Sequence, residues 1–274
     1  MTPASNLVVR LATAAVGIPV ILTLAIVAPP WSFFLLVLVA ALIGTSELFA
    51  MTHPGDRVSQ GAGVLVAAAA SLALYLAPGD ARVLMTLLVA VPLFGPIFTL
   101  VRRGAIETAA LRACAMGFGP LFVAVPLTLL ALLRKSRGDA GSGFIVLCLG
   151  LAWLGDTGGY FAGRFLGRHK LYETVSPKKT VEGAIGGLVG SVVWALVGAL
   201  WFVRGSLPLA HVVPLGLVAG ALGQAGDLAE SLLKRSTGVK DSGAIVPGHG
   251  GILDRVDALM LTSTVVYLYT TWAR

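Results

Sequence analysis

The chain has 274 residues, of which 57% are hydrophobic and 12% are charged, and its formal net charge at pH 7 is +7. Because an average soluble domain carries about 25% charged residues, this composition excludes an ordinary soluble globular protein. The apolar residues come in runs of about twenty, the length that an α-helix needs to cross a bilayer. The excess of positive charge is typical of the loops of membrane proteins and gives no reason to expect a nucleic-acid partner.

Nine apolar segments are predicted to span the membrane, which indicates an all-α, polytopic integral membrane protein. In chain order they cover residues 9–28, 31–50, 60–77, 82–101, 112–133, 142–163, 183–203, 209–230 and 253–273. Several are rich in glycine and alanine, which lets membrane helices approach one another closely. We treat the chain as a single membrane domain, with N-terminal helices in residues 1–110 and the helices and loops of the functional site in residues 111–274.

The distribution of basic residues predicts the orientation of these helices. Fourteen of the twenty lysines and arginines fall on the side that carries the N-terminus, and six fall on the other side. Because cytoplasmic loops are enriched in basic residues, the N-terminus is predicted to be cytoplasmic. Arg134, Lys135 and Arg137 form an exception on the outer side. Both long loops, 164–182 and 231–252, are then cytoplasmic, and they hold eight of the basic residues.

Acidic residues from several helices are predicted to meet just inside the cytoplasmic interface. They are Asp156 in the sixth span, Asp227 and Glu230 in the eighth, and Asp254 and Asp257 in the ninth. Asp254 and Asp257 are three residues apart and therefore share one helix face. Carboxylates at this depth are costly and usually functional, and two or three together form a site for a hard cation such as Mg²⁺.

These acids also have structural interpretations, because a carboxylate near a helix end can pair with a loop cation or cap the helix. Glu230 precedes Lys234 by four residues and can pair with it along the helix. Glu182 opens the seventh span, where an acid stabilises a helix N-terminus. Glu47, near the inner end of the second span, is expected either to make a buried structural hydrogen bond or to join the site.

Basic residues and glycines surround the predicted acid cluster. The segment SPKKTVEG places Lys178 and Lys179 before the seventh span, where Thr180 can cap the helix. A helix N-terminus beside two ammonium groups attracts phosphate. The PGHGG turn (247–251) can direct backbone N–H groups at an anion, whereas His249 alone is more typical of a structural loop. Together these features predict metal-assisted chemistry on phosphates, close to lipid headgroups.

The segment SLLKRSTGVKDSGAIVPGHGGILDRVD (231–257) resembles the signature of the phosphatidate cytidylyltransferases, also called CDP-diacylglycerol synthases. The upstream segments GDTGGYFAGRFLGRHKL and SPKKTVEG are similar to the same family. Two positions depart from its usual pattern, because Val246 stands where Leu, Ile or Phe is preferred and Gly159 stands where Ala is more usual. The N-terminal half resembles the family only in its hydropathy.

The resemblance implies a multi-pass enzyme of the bacterial cytoplasmic (inner) membrane, with its active site facing the cytoplasm. Its substrates would be CTP and phosphatidic acid, a membrane lipid, and its products CDP-diacylglycerol and pyrophosphate. The family requires Mg²⁺, a second cation such as K⁺ has been associated with its site, and homodimers occur. Because the lipid phosphate is already ionised, catalysis is expected to consist of positioning and charge neutralisation.

The resemblance and the predicted arrangement together assign roles to the candidate site residues. Catalytic roles are expected for Asp227, Asp254, Lys179, Lys240, Arg255 and His249. Substrate binding is expected for Lys178, Lys234, Arg235, Ser176, Asp156, Gly250 and Gly251. The expected metal ligands are Asp227 and Asp254, with Asp257 as a further candidate, whereas Asp241 is not expected to bind metal.

Two other functions stay open on the sequence. A CTP-dependent polyprenol kinase would share the acids and the basic loops, but it would transfer the γ-phosphate and release CDP. A transporter of an anionic metabolite would also use intramembrane charges, but it usually places them at the membrane midplane between inverted repeats. Here the acids are predicted at the interface and no inverted repeat is visible, which favours an enzyme.

Overall fold

The structure is a computed structural model that describes residues 3–246, 248 and 250–273. These residues form nine long α-helices and one β-hairpin. The helices are α1 (Pro3–Ile26), α2 (Pro30–Thr52), α3 (Arg57–Leu76), α4 (Ala81–Arg102), α5 (Ala109–Ser136), α6 (Gly141–Leu166), α7 (Val181–Trp201), α8 (Leu209–Ser236) and α9 (Leu253–Trp272). The strands β1 (Lys170–Tyr172) and β2 (Ser176–Thr180) lie between α6 and α7, and single 3₁₀ turns (Ile106–Thr108 and Gly138–Ala140) precede α5 and α6.

Helices α2 to α8 account for seven segments that are long and apolar enough to cross a membrane. Their outward faces are apolar as well: on α4, Leu88, Ile97 and Leu100 are 66%, 60% and 78% exposed. A continuous apolar surface of this kind suits contact with lipid. The predicted class, an all-α polytopic membrane protein, is confirmed. The count of nine spans stays a prediction, because within the described residues α1 and α9 fall outside this set of seven. The orientation of the helices also stays a prediction.

The contact between α6 and α7 is the most extensive one between helices. Glycines make it possible, because a Cβ atom at Gly186 would lie 2.2 Å from the Cβ of Ala162, and one at Gly190 would lie 2.3 Å from the backbone oxygen of Leu154. With no side chains between them, the two backbones approach closely. This close packing brings Asp156 of α6 beside the junction of β2 and α7.

The α6–α7 contact yields a stability prediction. Gly186→Ala is expected to lower the free energy of unfolding by about 1–3 kcal/mol, because the added methyl group must displace Ala162 or the α6 backbone. The matched control is Gly61→Ala on α3, where a Cβ atom would meet nothing within 4 Å. Thermal unfolding in detergent measures both variants, and equal stabilities would contradict the packing argument.

The hairpin is an element that the sequence did not predict, since the whole of 164–182 was interpreted as a loop. Its strands are antiparallel, with Lys170 opposite Thr180. Thr180 ends β2 and caps α7, because its Oγ1 accepts a hydrogen bond from the backbone N–H of Gly183 at 3.0 Å. The predicted cap is therefore confirmed. The two lysines that precede Thr180 therefore lie on strand β2 and not on a flexible loop.

Glu182 fixes the segment just before β1 to the start of α7. Its Oε2 accepts hydrogen bonds from the backbone N–H groups of Arg168 at 3.0 Å and His169 at 3.2 Å. Its Oε1 lies 2.6 Å from Nδ1 of His169. The structural interpretation of Glu182 is thus the one that the contacts support.

Arg134 and Lys135, which belong to the basic cluster predicted on the outer side, have a structural explanation. The Nε of Arg134 donates to the backbone oxygen of Ala25 at 2.7 Å, at the C-terminal end of α1. The Nζ of Lys135 donates to the backbone oxygen of Tyr75 at 2.7 Å, at the C-terminal end of α3. Basic side chains commonly satisfy the last carbonyl groups of helices in this way. The exception to the charge bias therefore follows from helix capping.

Candidate active site

A cavity of about 390 Å³ lies between α6, β2, α7 and α8. Its polar lining consists of Asp156, Tyr160, Arg164, Lys178, Lys179, Thr180, Gln224 and Asp227. Four of these residues, Asp156, Lys178, Lys179 and Asp227, were predicted from the sequence to belong to the site. The cavity therefore brings predicted acids and bases together from three separate elements, α6, β2 and α8.

Lys179 and Asp227 form an ion pair across this cavity. The Nζ of Lys179 lies 2.5 Å from Oδ2 of Asp227, and the two side chains are 27% and 29% exposed. An ion pair this accessible contributes little to stability. Its position on a cavity wall favours a role in binding, because an incoming phosphate can compete with Asp227 for the ammonium group.

Two further acids and one arginine complete the charges around this pair. Asp156 interacts electrostatically with Asp227, Lys179 and Arg255. Asp257 interacts electrostatically with Asp227 and Asp156. We call these five residues, Asp156, Lys179, Asp227, Arg255 and Asp257, the cavity cluster. The cluster holds three carboxyl groups and two cationic groups, and two further cations, Lys178 and Arg164, line the same cavity.

The carboxyl groups of the cluster decide whether the residues present fit a divalent cation. Within the described residues, no group of three or more His, Cys, Asp or Glu side chains forms a ready-made metal site. However, Mg²⁺ usually takes only one or two carboxylates, together with water and substrate phosphate. Asp227 and Asp257 fit that requirement, because a cation between two like-charged carboxylates relieves their repulsion.

Asp254 belongs to a different, buried group of residues. Its Oδ1 accepts a hydrogen bond from Nζ of Lys234 at 2.6 Å. Its Oδ2 accepts from the backbone N–H groups of Ser242 at 3.0 Å and Gly251 at 2.8 Å. The Nζ of Lys234 also lies 2.5 Å from Oε2 of Glu230, which confirms the ion pair predicted along the helix. Asp254 and Lys234 are each 8% exposed, and Glu230 is fully buried.

We call Glu47, Glu230, Lys234, Ser242, Gly251 and Asp254 the buried network. Both carboxylate oxygens of Asp254 accept hydrogen bonds inside this network. The predicted metal role of Asp254 stays a prediction. Asp257 is favoured as the partner of Asp227, because its backbone packs against Gly226, the neighbour of Asp227. Lys234 pairs with two carboxylates, so substrate binding would require it to leave both.

The glycine turn before α9 forms its hydrogen bonds within the protein. The N–H of Gly251, which was predicted to face a bound anion, points at the carboxylate of Asp254. Gly250 has a φ of +87°, and a Cβ atom there would lie 2.7 Å from Oδ2 of Asp254. Both the left-handed backbone and the missing side chain are therefore needed at Gly250. His249 lies outside the described residues.

Four predicted basic residues are exposed rather than buried. Lys178, Arg235, Lys240 and Arg255 all have exposed side chains. Arg235 donates to the backbone oxygen of Val239 at 2.8 Å. Ser176, the first residue of β2, is half-buried and stands outside the cavity lining described above. Lys178 thus lines the cavity, and Arg255 interacts electrostatically with Asp156 of the cavity. Arg235 instead has a backbone partner at the end of α8.

Three cavity residues were missed by the sequence interpretation. Gln224 lines the cavity and donates from Nε2 to the backbone oxygen of Ala184 at 3.1 Å. It precedes Asp227 by three residues and therefore shares its helix face, which is a signal that the sequence does contain. Arg164 and Tyr160 also line the cavity, with an arginine nitrogen 2.8 Å from the phenol oxygen.

A second cavity, also of about 390 Å³, lies at the ends of α2, α4 and α8. Two of its charged residues, Asp56 and Arg112, have partners within the fold. The Ser59 hydroxyl and the Arg102 guanidinium both donate to Asp56. These bonds, with that of Ser59 having the larger effect, lower the pKa of the Asp56 carboxyl to about 2. Arg112 donates to the backbone oxygen of Ala105 at 2.8 Å. None of the predicted site residues lines this cavity, so the first cavity is the better candidate for the active site.

The fold and the first cavity define a polytopic helical membrane protein with a polar, charged cavity between its C-terminal helices. The family model of the cytidylyltransferase family matches residues 8–273. The chain therefore belongs to the cytidylyltransferase family, and the resemblance found in the sequence is confirmed. The match also covers the N-terminal half, where the sequence alone showed similarity only in hydropathy.

Individual relatives support the same assignment over a shorter stretch. A protein of Staphylococcus haemolyticus named phosphatidate cytidylyltransferase is 47% identical over 125 residues, which is 46% of this chain and 47% of the relative. A protein of the same name from Synechocystis is 43% identical over 136 residues, which is 47% of this chain and 44% of the relative. The chain thus spans about half the length of the curated relatives it matches.

Proposed function

We propose that this protein transfers the cytidylyl group of CTP to phosphatidic acid, giving CDP-diacylglycerol and pyrophosphate for phospholipid synthesis. The observation that carries the proposal is the cavity cluster, which places acids and bases from α6, β2, α8 and α9 together in a member of the cytidylyltransferase family. The names of the relatives support the choice of phosphatidic acid as the acceptor.

The reaction requires two anions to meet. A phosphate oxygen of phosphatidic acid forms a bond to the α-phosphorus of CTP, and the bond between the α-phosphorus and the oxygen that bridges to the β-phosphate breaks. Pyrophosphate leaves with that oxygen. Because a phosphate monoester is largely ionised near neutral pH, the nucleophile needs no strong general base. The protein must therefore position the two phosphates and neutralise their charge.

The cavity supplies cations for that purpose. Lys179 neutralises Asp227 in the resting site and can turn to a phosphate oxygen when CTP arrives. Lys178 and Arg164 line the same cavity, and the N-terminus of α7 adds the partial positive charge of its unpaired N–H groups. Arg255 supplies a further cation close to Asp156.

Mg²⁺ is part of the proposal, with Asp227 and Asp257 as its protein ligands. When bound, it would neutralise negative charge on the triphosphate. Asp254, predicted as a ligand from the sequence, would have to exchange its donors in the buried network to take this role. A second cation such as K⁺ and a homodimer, both expected from the resemblance, stay predictions.

The proposed location is the bacterial cytoplasmic membrane, with the cavity open to the cytoplasm. The multi-pass fold and the bacterial relatives support the membrane location. The charge bias and the cytosolic origin of CTP support the direction. Lys178, which lines the cavity, is exposed, and this gives a soluble nucleotide access to the site.

A direct assay tests the function. Purified full-length protein in detergent, with CTP, dioleoyl phosphatidic acid and MgCl₂, is expected to form CDP-diacylglycerol and pyrophosphate in equal amounts. Thin-layer chromatography of the lipid and an enzymatic pyrophosphate assay measure the two products, with ATP as the nucleotide control. Release of CDP with a phosphorylated lipid would indicate a kinase instead, and the absence of any CTP turnover would refute the proposal.

A further inference from the structure

Glu47 is a buried acid on α2 that contacts the start of α9. Its side chain is part of the protein interior, with the residue 6% exposed. Its Oε1 accepts a hydrogen bond from the backbone N–H of Ile252 at 3.0 Å, and its Oε2 accepts from that of Leu253 at 2.8 Å. These N–H groups belong to the first turn of α9, which has no earlier turn to satisfy them.

Glu47 therefore caps α9 from another helix. The residue at the N-cap position is Ile252, whose aliphatic side chain cannot accept a hydrogen bond. A carboxylate that accepts two backbone N–H bonds at a helix N-terminus makes charge-assisted bonds and also interacts favourably with the helix dipole. The cap comes from more than two hundred residues away along the chain, so it fixes the relative positions of α2 and α9.

The loop before α9 is built around the same carboxylate. The Oγ of Ser242 lies 3.1 Å from Oε2 of Glu47 and 2.9 Å from Oδ2 of Asp254. A Cβ atom at Gly243 would lie 2.4 Å from Oε1 of Glu47, and one at Gly251 would lie 2.5 Å from Oε2. Glycine is needed at both positions because the carboxylate occupies the space that a side chain would fill.

We propose that Glu47 is a positioning residue for the active site. Its carboxylate holds the first turn of α9, and that turn leads into Asp257, whose backbone oxygen would lie 2.7 Å from a Cβ atom at Gly226, the neighbour of Asp227. Helix α2 packs against α9 much less than α8 or α5 does. The hydrogen bonds from Glu47 therefore orient α9 and add little to its apolar packing. The inference rests on the proposed function, because it gives Asp257 a part in that reaction.

The variant Glu47→Gln tests this role. The amide can present only one oxygen to the two N–H groups, and its NH₂ group faces a second donor. In this variant, backbone amide exchange in residues 251–257 is expected to become faster. Hydrogen–deuterium exchange mass spectrometry measures it. The MgCl₂ concentration for half-maximal CDP-diacylglycerol formation is expected to rise about tenfold, the scale seen when an outer partner of a metal ligand is lost. Glu107→Gln, at an exposed glutamate, is the control and should change neither value.

Each outcome decides the proposal. Unchanged exchange in 251–257 would show that Glu47 does not hold α9, and faster exchange with an unchanged MgCl₂ requirement would show a cap without a positioning role. Either result overturns it. If Glu47→Gln fails to fold, Gly243→Ala displaces the same carboxylate without a change of charge and should shift both values in the same direction. If the wild-type protein makes no CDP-diacylglycerol, the proposed function fails, while the exchange measurement still tests the cap.

Discussion

Asp227→Asn is expected to lower the rate of CDP-diacylglycerol formation by at least about 100-fold, the loss found when one group that stabilises transition-state charge is removed. The substitution removes the carboxylate that pairs with Lys179 and that interacts with Asp156 and Asp257. Since the Asp227 side chain is 29% exposed and its partner 27% exposed, no buried charge is left unpaired. The stability should therefore change by less than about 1 kcal/mol.

The measurement compares initial rates and melting temperatures of Asp227→Asn, Asp257→Asn and Asp241→Asn across a MgCl₂ titration. Asp241 is an exposed aspartate of the same signature segment and serves as the control. Asp257→Asn is expected to behave like Asp227→Asn, because the two carboxylates are the proposed ligands. A near-normal rate for Asp227→Asn over the whole titration would contradict the assignment of this residue.

Much of the cavity cluster could be predicted because membrane depth is a local property of the sequence. The long apolar runs place Asp156 and Asp227 toward the inner ends of the predicted spans 142–163 and 209–230, and two lysines lie in the segment between α6 and α7. A charged group cannot lie at random depth in a bilayer, so acids from different helices are confined to one thin layer. Within that layer the number of possible neighbours is small.

The lateral arrangement within the layer could not be predicted. Asp254 and Asp257 share a face of α9, yet the first bonds to Lys234 and the second joins Asp227. Which acid faces which neighbour depends on how α9 rotates against α8. That rotation depends on close contacts such as Gly226, where a Cβ atom would lie 2.7 Å from the backbone oxygen of Asp257. No spacing rule within one helix contains this information.

Contacts between distant parts of the chain were also out of reach. Glu47 could be identified as a costly buried acid, but its partners at Ile252 and Leu253 are fixed only by the packing of α2 against α9. The hairpin was missed for a different reason. Its strands have three and five residues and mostly exposed side chains, so they show neither the length nor the alternation that identifies a strand.

Lys234→Met is expected to lower the free energy of unfolding by about 3–5 kcal/mol, the cost of removing one partner from a buried ion pair. Lys234 is the cation between Glu230 and Asp254, at 2.5 and 2.6 Å. Among the described residues, neither oxygen of Glu230 meets a donor with good hydrogen-bond geometry, so this ion pair is what neutralises it. Methionine fills a similar volume but leaves a fully buried carboxylate unpaired.

Two further variants separate this structural role from the substrate-binding role predicted from the sequence. Arg235→Met removes a neighbouring but exposed cation and should leave the melting temperature nearly unchanged. Adding Glu230→Gln to Lys234→Met should restore at least half of the lost stability, because the unpaired charge is removed as well. Thermal unfolding in detergent and the Michaelis constant for CTP are measured for all three proteins. A weaker affinity for CTP at unchanged stability would show that Lys234 binds the substrate. A loss of stability that Glu230→Gln restores would show that Lys234 is an internal counter-ion between α8 and α9.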